Sequence, residues 1–178
     1  SGVGYDIACG NKAVRVDAEL SEVSKNISTI MDDIWHGISF GLGRKNDVRV
    51  DHALFDDPAW TLKATGPLKQ MARDQLGTVG SGNHFVDIFA DEAGRVWIGV
   101  HFGSRGFGHK VATWFLKHGG GKDGMDVDPL VLKTNSTLGA EYVEAMKLAG
   151  RYAYAGRDWV CSEVARLLGA RIEEEVHN

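Results

Sequence analysis

The chain has 178 residues, 43% of them hydrophobic and 25% charged, the composition of an ordinary globular protein with enough apolar surface for a real core. A formal charge of −4 argues against a general nucleic-acid-binding surface, which is normally basic, although bound divalent cations reverse the sign locally. Cys9 and Cys161 are too few for a disulfide framework, and no leader or membrane-length apolar run is present, so a cytoplasmic, reducing compartment without a membrane partner is expected.

Ser1-Gly-Val-Gly opens without an initiator methionine, and Val176-His177-Asn178 follows directly on a helical pattern, so both ends read as cut from a longer protein. Residues 3–16 carry Asp6, Cys9 and Gly10 in D-I-A-C-G, then a strand over 12–16. A carboxylate and a thiolate three residues apart in a turn can reach one metal or two neighbouring metals, and thiolate sulfur can bridge two ions. The plainer reading of a lone cysteine is a small buried hydrophobe. Residues 20–40 read as one amphipathic helix capped by Ser21, with Ile27, Ile30, Met31, Ile34, Trp35 and Ile38 on the core side and His36 at the surface. The basic loop 41–46 reads as a solvated turn. His52, Phe55, Asp57 and Pro58 lie in irregular chain, and 62–76 is partly helical.

Two apolar runs, 84–90 and 95–101, flank Asp91-Glu-Ala-Gly94 and read as a β-hairpin. A four-residue loop sets His84 directly opposite His101, with Cβ atoms roughly 4.5–5.5 Å apart on one face. Two imidazoles so placed can share one ion or serve two. The glycine-rich stretches 80–83 and 103–108 let backbone N–H groups approach an anion, and Arg105 adds a bidentate phosphate donor. The alternative is a hairpin with polar ends and flexible turns. A mixed Asp/Cys/His set suits Mn, Fe, Co or Zn, and not Mg or Ca.

A helix over 108–118 follows, its N-terminus carrying the 103–108 loop, with His109 in its first turn and Gly119 to Gly121 ending it. Residues 126–137 form a loop with a short apolar segment. Residues 138–168 are helical, with Gly150 and Gly156 as points of division or close packing and Cys161 in the core. Residues 171–176 lead to His177, which spacing alone does not make a ligand. Without repeats or linkers, 1–178 reads as one domain of α+β class, antiparallel strands packing on the helices near 21–38 and 139–168. Exposed strand edges would favour self-association.

Gly2-Val-Gly-Tyr-Asp-Ile-Ala-Cys-Gly10, Leu76-Gly-Thr-Val-Gly-Ser-Gly-Asn-His-Phe85 and His101-Phe-Gly-Ser-Arg-Gly-Phe-Gly-His109 resemble the signature blocks of the RtcB family of RNA-splicing ligases. Residues 142–157, ending Tyr152-Ala-Tyr-Ala-Gly-Arg157, are similar to the family helix that follows, and Val176-His177-Asn178 to the start of a further block. The resemblance implies an RtcB-like fold, incomplete here, and a ligase using GTP and two Mn²⁺ ions. Such enzymes join RNA ends bearing a 2′,3′-cyclic phosphate or 3′-phosphate to 5′-hydroxyl ends through a guanylylated histidine, in tRNA splicing and RNA repair, sometimes with a helper protein. It implies metal ligands at Asp6, Cys9, His84, His101 and His177, and a cofactor-binding set of Asn83, His84, Asp87 and Arg105. Asp87 stands where the family often has Glu. The guanylylated histidine is expected beyond Asn178, so no catalytic nucleophile is expected in this stretch, which alone should not ligate RNA. Two other readings of the same side chains are a divalent-metal phosphoesterase and a non-catalytic metal-binding domain.

Overall fold

Val14 and Val16 alternate with Ala13 and Arg15 along Gly10–Val16 (β1). In the computed structural model, which describes residues 3–122, 124 and 127–178, that alternation turns one strand face to a helical layer. Gly2 of the first block and Asp126 of the expected loop lie outside the described residues. With Phe85–Ala90 (β2), Val96–Phe102 (β3) and Ile172–His177 (β4), β1 forms an antiparallel sheet of order β2-β3-β1-β4. Val14, Val16, Val96, Ile98, Val100 and Phe102 face the helix Thr137–Leu167 and are buried. The opposite face presents Asn11, Phe85, Asp87, Phe89 and His101.

The long helix runs unbroken through Gly150 and Gly156. Gly156 serves close packing, since a Cβ there would stand 3.2 Å from the Phe102 ring. Ser136 caps its start, Oγ accepting from the Gly139 N–H at 3.1 Å. A second core, built on Phe55, Trp60, Leu76, Phe107, Phe115, Leu148 and Tyr152, joins that helix to the helices Lys69–Gln75 and Arg105–His118 and to two 3-10 turns, Ala53–Asp56 and Pro58–Thr61. These turns replace the irregular chain expected there. In chain order the helices are Leu20–Lys25 (α1), Ile27–Gly37 (α2), Lys69–Gln75 (α3), Arg105–His118 (α4) and Thr137–Leu167 (α5). No helix among the described residues is long and apolar enough to cross a membrane.

Several expectations are corrected. The helix expected over 20–40 breaks at Asn26, whose backbone N–H and side-chain amide both donate to the Glu22 carbonyl, at 3.1 and 2.9 Å, and end α1 there. Glu19, not Ser21, occupies the N-cap, without a side-chain bond. The break re-aims α2, so Ile34 and Ile38 are buried while Trp35 is 68% exposed, with Ile27 and Met31 beside it. β4 was not foreseen. Glu173, Glu174 and Glu175 hide any apolar alternation, and the strand is held by charge, Arg15 pairing with Glu173 and Glu174 and Lys12 with Glu175. Lastly, α4 begins at Arg105, so most of the glycine run expected as a loop is its first turn.

The hairpin register also differs. The Asp91 N–H donates to the Arg95 carbonyl at 3.1 Å, and the Gly94 N–H closes a turn on the Asp91 carbonyl at 2.9 Å. Gly94 takes the left-handed conformation, φ 74°. The loop is therefore the three residues Glu92–Gly94 with a glycine bulge. Phe85, not His84, stands opposite His101. Asp91 drives this closure, its carboxylate accepting from the Ala93 and Arg95 N–H groups, Arg95 Nε and Trp97 Nε1.

Those donors, the Trp97 indole foremost, hold the Asp91 carboxyl well below the usual carboxylate range. A depressed folded-state pKa contributes stability above the unfolded value of about 4 that is lost as pH falls through the folded one. Between pH 7 and pH 3 the wild type is therefore expected to lose more melting temperature than Asp91→Asn. Parallel losses would show that other carboxylates, such as Asp17 and Glu163 with their arginine partners, carry the acid sensitivity.

Candidate metal centre

Residues 6–9 form a tight turn closed by the Cys9 N–H on the Asp6 carbonyl at 3.1 Å, with Ala8 in the left-handed region at φ 55°. The turn is tied to the end of β3. Ser104 N–H donates to the Ile7 carbonyl, and Arg157 Nη1 donates to both Ala8 O (2.9 Å) and Phe102 O (2.7 Å). Asp6 lies so close to Gly103 that a Cβ there would come within 2.4 Å of Oδ1. Glycines 106 and 108 allow a similar approach, their Cβ positions lying 2.9 Å from Gln75 and 1.8 Å from Ser104 Oγ. Gly103 therefore lets the chain pack on the Asp6 turn, Gly106 lets α4 pack on the end of α3, and Gly108 makes room for the Ser104 side chain at the start of α4.

Four of the expected ligands converge here. Cys9 Sγ lies 3.4 Å from His101 Nε2 and 3.7 Å from His84 Nε2. His84 Nε2 is 2.9 Å from Asp6 Oδ2, and the donor atoms of Asp6, Cys9 and His84 all lie within 4.8 Å of one another. The two imidazole centroids are 5.9 Å apart. Convergence survives the shifted register because His84 precedes β2 and belongs to the turn, where the pleat does not dictate its direction.

The ring partners orient both imidazoles. His101 Nδ1 is 2.8 Å from Asn11 Oδ1, and His84 Nδ1 is 3.0 Å from the Val79 carbonyl. Either acceptor, taking a proton from Nδ1, leaves the Nε2 lone pair for a cation. At His84 a competitor is present, since Arg105 Nη1 also lies 3.0 Å from Nδ1. With Nε2–H donating to Asp6 and Arg105 donating to Nδ1, the site balances its own charges. A cation on Nε2 would leave the Nδ1 proton to Val79.

Burial first, and then the Asp6 carboxylate, push the Cys9 thiol up to about 11, against the opposing pull of Arg157 and Arg105. The sulfur must therefore give up a proton before it can ligate. Asp6 Oδ1 is buried without a hydrogen-bond partner among the described residues. A carboxylate oxygen left so is costly, and a cation relieves it. The set of one carboxylate, one thiol and two imidazoles fits a borderline transition ion, with sulfur standing between Asp6–His84 on one side and His101 on the other.

The fifth expected ligand does not join. His177 pairs with Lys12 across β1 and β4, which turns it to the helix side of the sheet, whereas His101 pairs with Asn11 on the open side. Its Nε2 lies 3.3 Å from Asp158 Oδ1, and its ring stacks on Tyr154 at 5.1 Å. Asp158, Glu175 and His177 cluster, but Lys12 Nζ already bridges the two carboxylates at 2.6 and 2.7 Å.

The expected nucleotide contacts fall around the rim. Asn83 is exposed, its amide nitrogen 3.2 Å from His101 Nε2. Asp87 is exposed on the open sheet face, opposite Gly99. Arg105 lies folded over Gly80, where a Cβ would meet Nη2 at 1.9 Å, so it does not extend to solvent as a free phosphate donor. Sequence reasoning missed Asn11 and Arg157. Arg157 had a readable signal, an arginine spaced with Ala153, Val160 and Val164 on an apolar helix stripe. Asn11 had none before its cross-strand partner was known.

A family model described as tRNA-splicing ligase RtcB matches residues 59–178, which include His84, His101 and His177. A tRNA-splicing ligase RtcB of Thermococcus kodakarensis is 30% identical over 209 residues, covering 89% of this chain and 43% of that protein. One from Archaeoglobus fulgidus is 28% identical, covering 94% and 46%. An RNA-splicing ligase RtcB homolog 1 of Entamoeba dispar is 25% identical, covering 89% and 39%. The chain thus spans less than half the length of these relatives.

Proposed function

The chain belongs to the RtcB family of tRNA-splicing ligases, and on that premise we propose that it forms the metal-binding part of a GTP- and Mn²⁺-dependent RNA ligase. The whole enzyme would join 3′-phosphate or 2′,3′-cyclic-phosphate RNA ends to 5′-hydroxyl ends. One observation carries the metal assignment: the Cys9 sulfur is flanked by both imidazoles while a buried Asp6 oxygen has no partner. Asp6, Cys9 and His84 would hold one ion, Cys9 and His101 a second, with the sulfur shared. His177 is left out of this assignment because its ring faces Asp158.

Bound divalent ions supply charge stabilisation at phosphate oxygens. The protein supplies the rest. Val79 aims the His84 imidazole; Arg157 and Ser104 hold the Asp6–Cys9 turn rigid against β3. Asn83 at the rim and Asp87 on the open face are the side chains proposed to meet the guanylate. The turn 80–83, where Gly80 and Gly82 have φ of 97° and 81°, can offer backbone N–H groups to phosphate. In this reading the nucleophilic histidine is not among residues 1–178.

Calorimetric titration with Mn²⁺ should give two ions per chain. Incubation with GTP and Mn²⁺ should leave the chain without a covalent histidine–GMP adduct by mass spectrometry. An adduct would overturn the placement of the nucleophile, and steady Mn²⁺-dependent hydrolysis of bis(p-nitrophenyl) phosphate would favour a phosphoesterase instead.

A further inference from the structure

Asn11 is an exposed residue of β1 with a definite geometric position. Its backbone N–H and C=O both bond to Asn178, at 2.9 and 3.0 Å. Toward β3, its pairing with His101 is therefore the kind without backbone hydrogen bonds, in which facing side chains stand closest. The amide uses that proximity, Oδ1 lying 2.8 Å from His101 Nδ1.

A neutral imidazole has one proton to place on two nitrogens. An amide oxygen only accepts, so this contact keeps the proton on Nδ1. The other side of the ring agrees: the Asn83 amide nitrogen, a donor, points at Nε2 from 3.2 Å, where a lone pair is needed. Phe85, stacked on His101 at 5.6 Å and 19°, restrains the ring plane. We propose that Asn11 is a positioning residue that fixes His101 in the tautomer able to ligate a cation beside Cys9. This rests on the reading of His101 as a metal ligand. An apolar side chain at position 11 leaves Nδ1 without an acceptor and lets the proton move to Nε2, where it blocks ligation.

The test compares the wild-type chain with N11L and with N11D, which keeps an acceptor oxygen at the same place. Long-range ¹H–¹⁵N correlation of the histidine rings, without metal, reads the tautomer directly. Titration with Co²⁺, followed through the thiolate-to-cobalt and ligand-field bands, reads affinity and geometry. His101 should be Nδ1-protonated in the wild type and N11D and should shift toward Nε2 protonation in N11L. Co²⁺ affinity should fall roughly tenfold to a hundredfold in N11L, the range for losing the partner of a metal-bound histidine, and return in N11D. Circular dichroism checks folding, and N11A, equally without an acceptor, replaces N11L should the leucine disturb it. An unchanged tautomer, or N11L binding Co²⁺ as tightly as a binding wild type, overturns the proposal alone. A wild-type chain that takes up no Co²⁺ overturns the metal reading, and the proposal with it.

Discussion

Replacing Cys9 with alanine is expected to abolish uptake of both cations, whereas alanine at His101 should remove only one. The asymmetry follows from position. The Cys9 sulfur is 3.4 Å from one imidazole nitrogen and 3.7 Å from the other, so a single thiolate serves both ligand groups. Losing a mere partner of a metal-bound histidine costs about tenfold to a hundredfold in affinity, and losing a shared ligand should exceed the upper end of that range. Folding should survive the change, because Cys9 as a whole is exposed and only its thiol is partly withdrawn from water. A thermal shift gives a second readout. A ligand at a hundred times its Kd stabilises by about 2.7 kcal/mol, and for a chain of this size each kcal/mol moves Tm by about 2–4 °C. Two sites each so filled should therefore raise the wild-type Tm by about 10–20 °C with saturating Mn²⁺ and leave Cys9→Ala unmoved. A Cys9→Ala protein that still binds two ions would remove sulfur from the centre altogether.

What the sequence reveals about this molecule depends on whether a feature is settled locally. α5 is legible because Tyr142, Met146, Ala149, Ala153, Val160 and Val164 recur at helical spacing and nothing nearby competes. The hairpin is legible from its turn residues. Its register is not, because the choice between three and four loop residues is made by how many donors the Asp91 carboxylate can gather, Trp97 Nε1 among them. The break at Asn26 is of the same kind, a side chain competing for one carbonyl. β4 escapes because its pairing is ionic and its partners, Lys12 and Arg15, lie far away in sequence. At the site, the motif blocks that resemble the family single out Asp6, Cys9, His84 and His101, which the fold does bring near one another, although the register that spacing alone gave for the two histidines does not hold. The blocks do not suffice for His177, whose direction is set by which residue of β1 it faces across the sheet.

Arg157→Met should be the most damaging single change to the scaffold of the centre. Arg157 is 1% exposed, and one nitrogen, Nη1, satisfies two carbonyls, Ala8 O on the ligand turn and Phe102 O at the end of β3. Its guanidinium also lies 4.6 Å over the Tyr154 ring. Methionine approximates the length of the chain but leaves the Ala8 oxygen unpaired, at about 1–3 kcal/mol for a buried group, takes from the Phe102 oxygen a second bond of about 1 kcal/mol beside the one it makes in the sheet, and forfeits a cation–π contact of about 1 kcal/mol. Against this stands relief: burial depresses the arginine's pKa, a sign that its charge is held there at a cost, and replacing a buried charge by an apolar group returns part of it. The unpaired Ala8 carbonyl decides the balance, because it remains wherever the charge goes. A net loss of about 2–4 kcal/mol is expected, a large share of the roughly 5–15 kcal/mol that holds a domain together, and a fall in Tm of about 10 °C. The released Ala8 carbonyl is also the anchor of a left-handed residue between Asp6 and Cys9, so metal affinity should fall with stability. Denaturant unfolding and Co²⁺ titration of the same protein measure both. A variant losing less than about 1 kcal/mol with undiminished affinity would mean that the turn keeps its shape without the arginine, and the tie between α5 and the centre would have to be sought elsewhere.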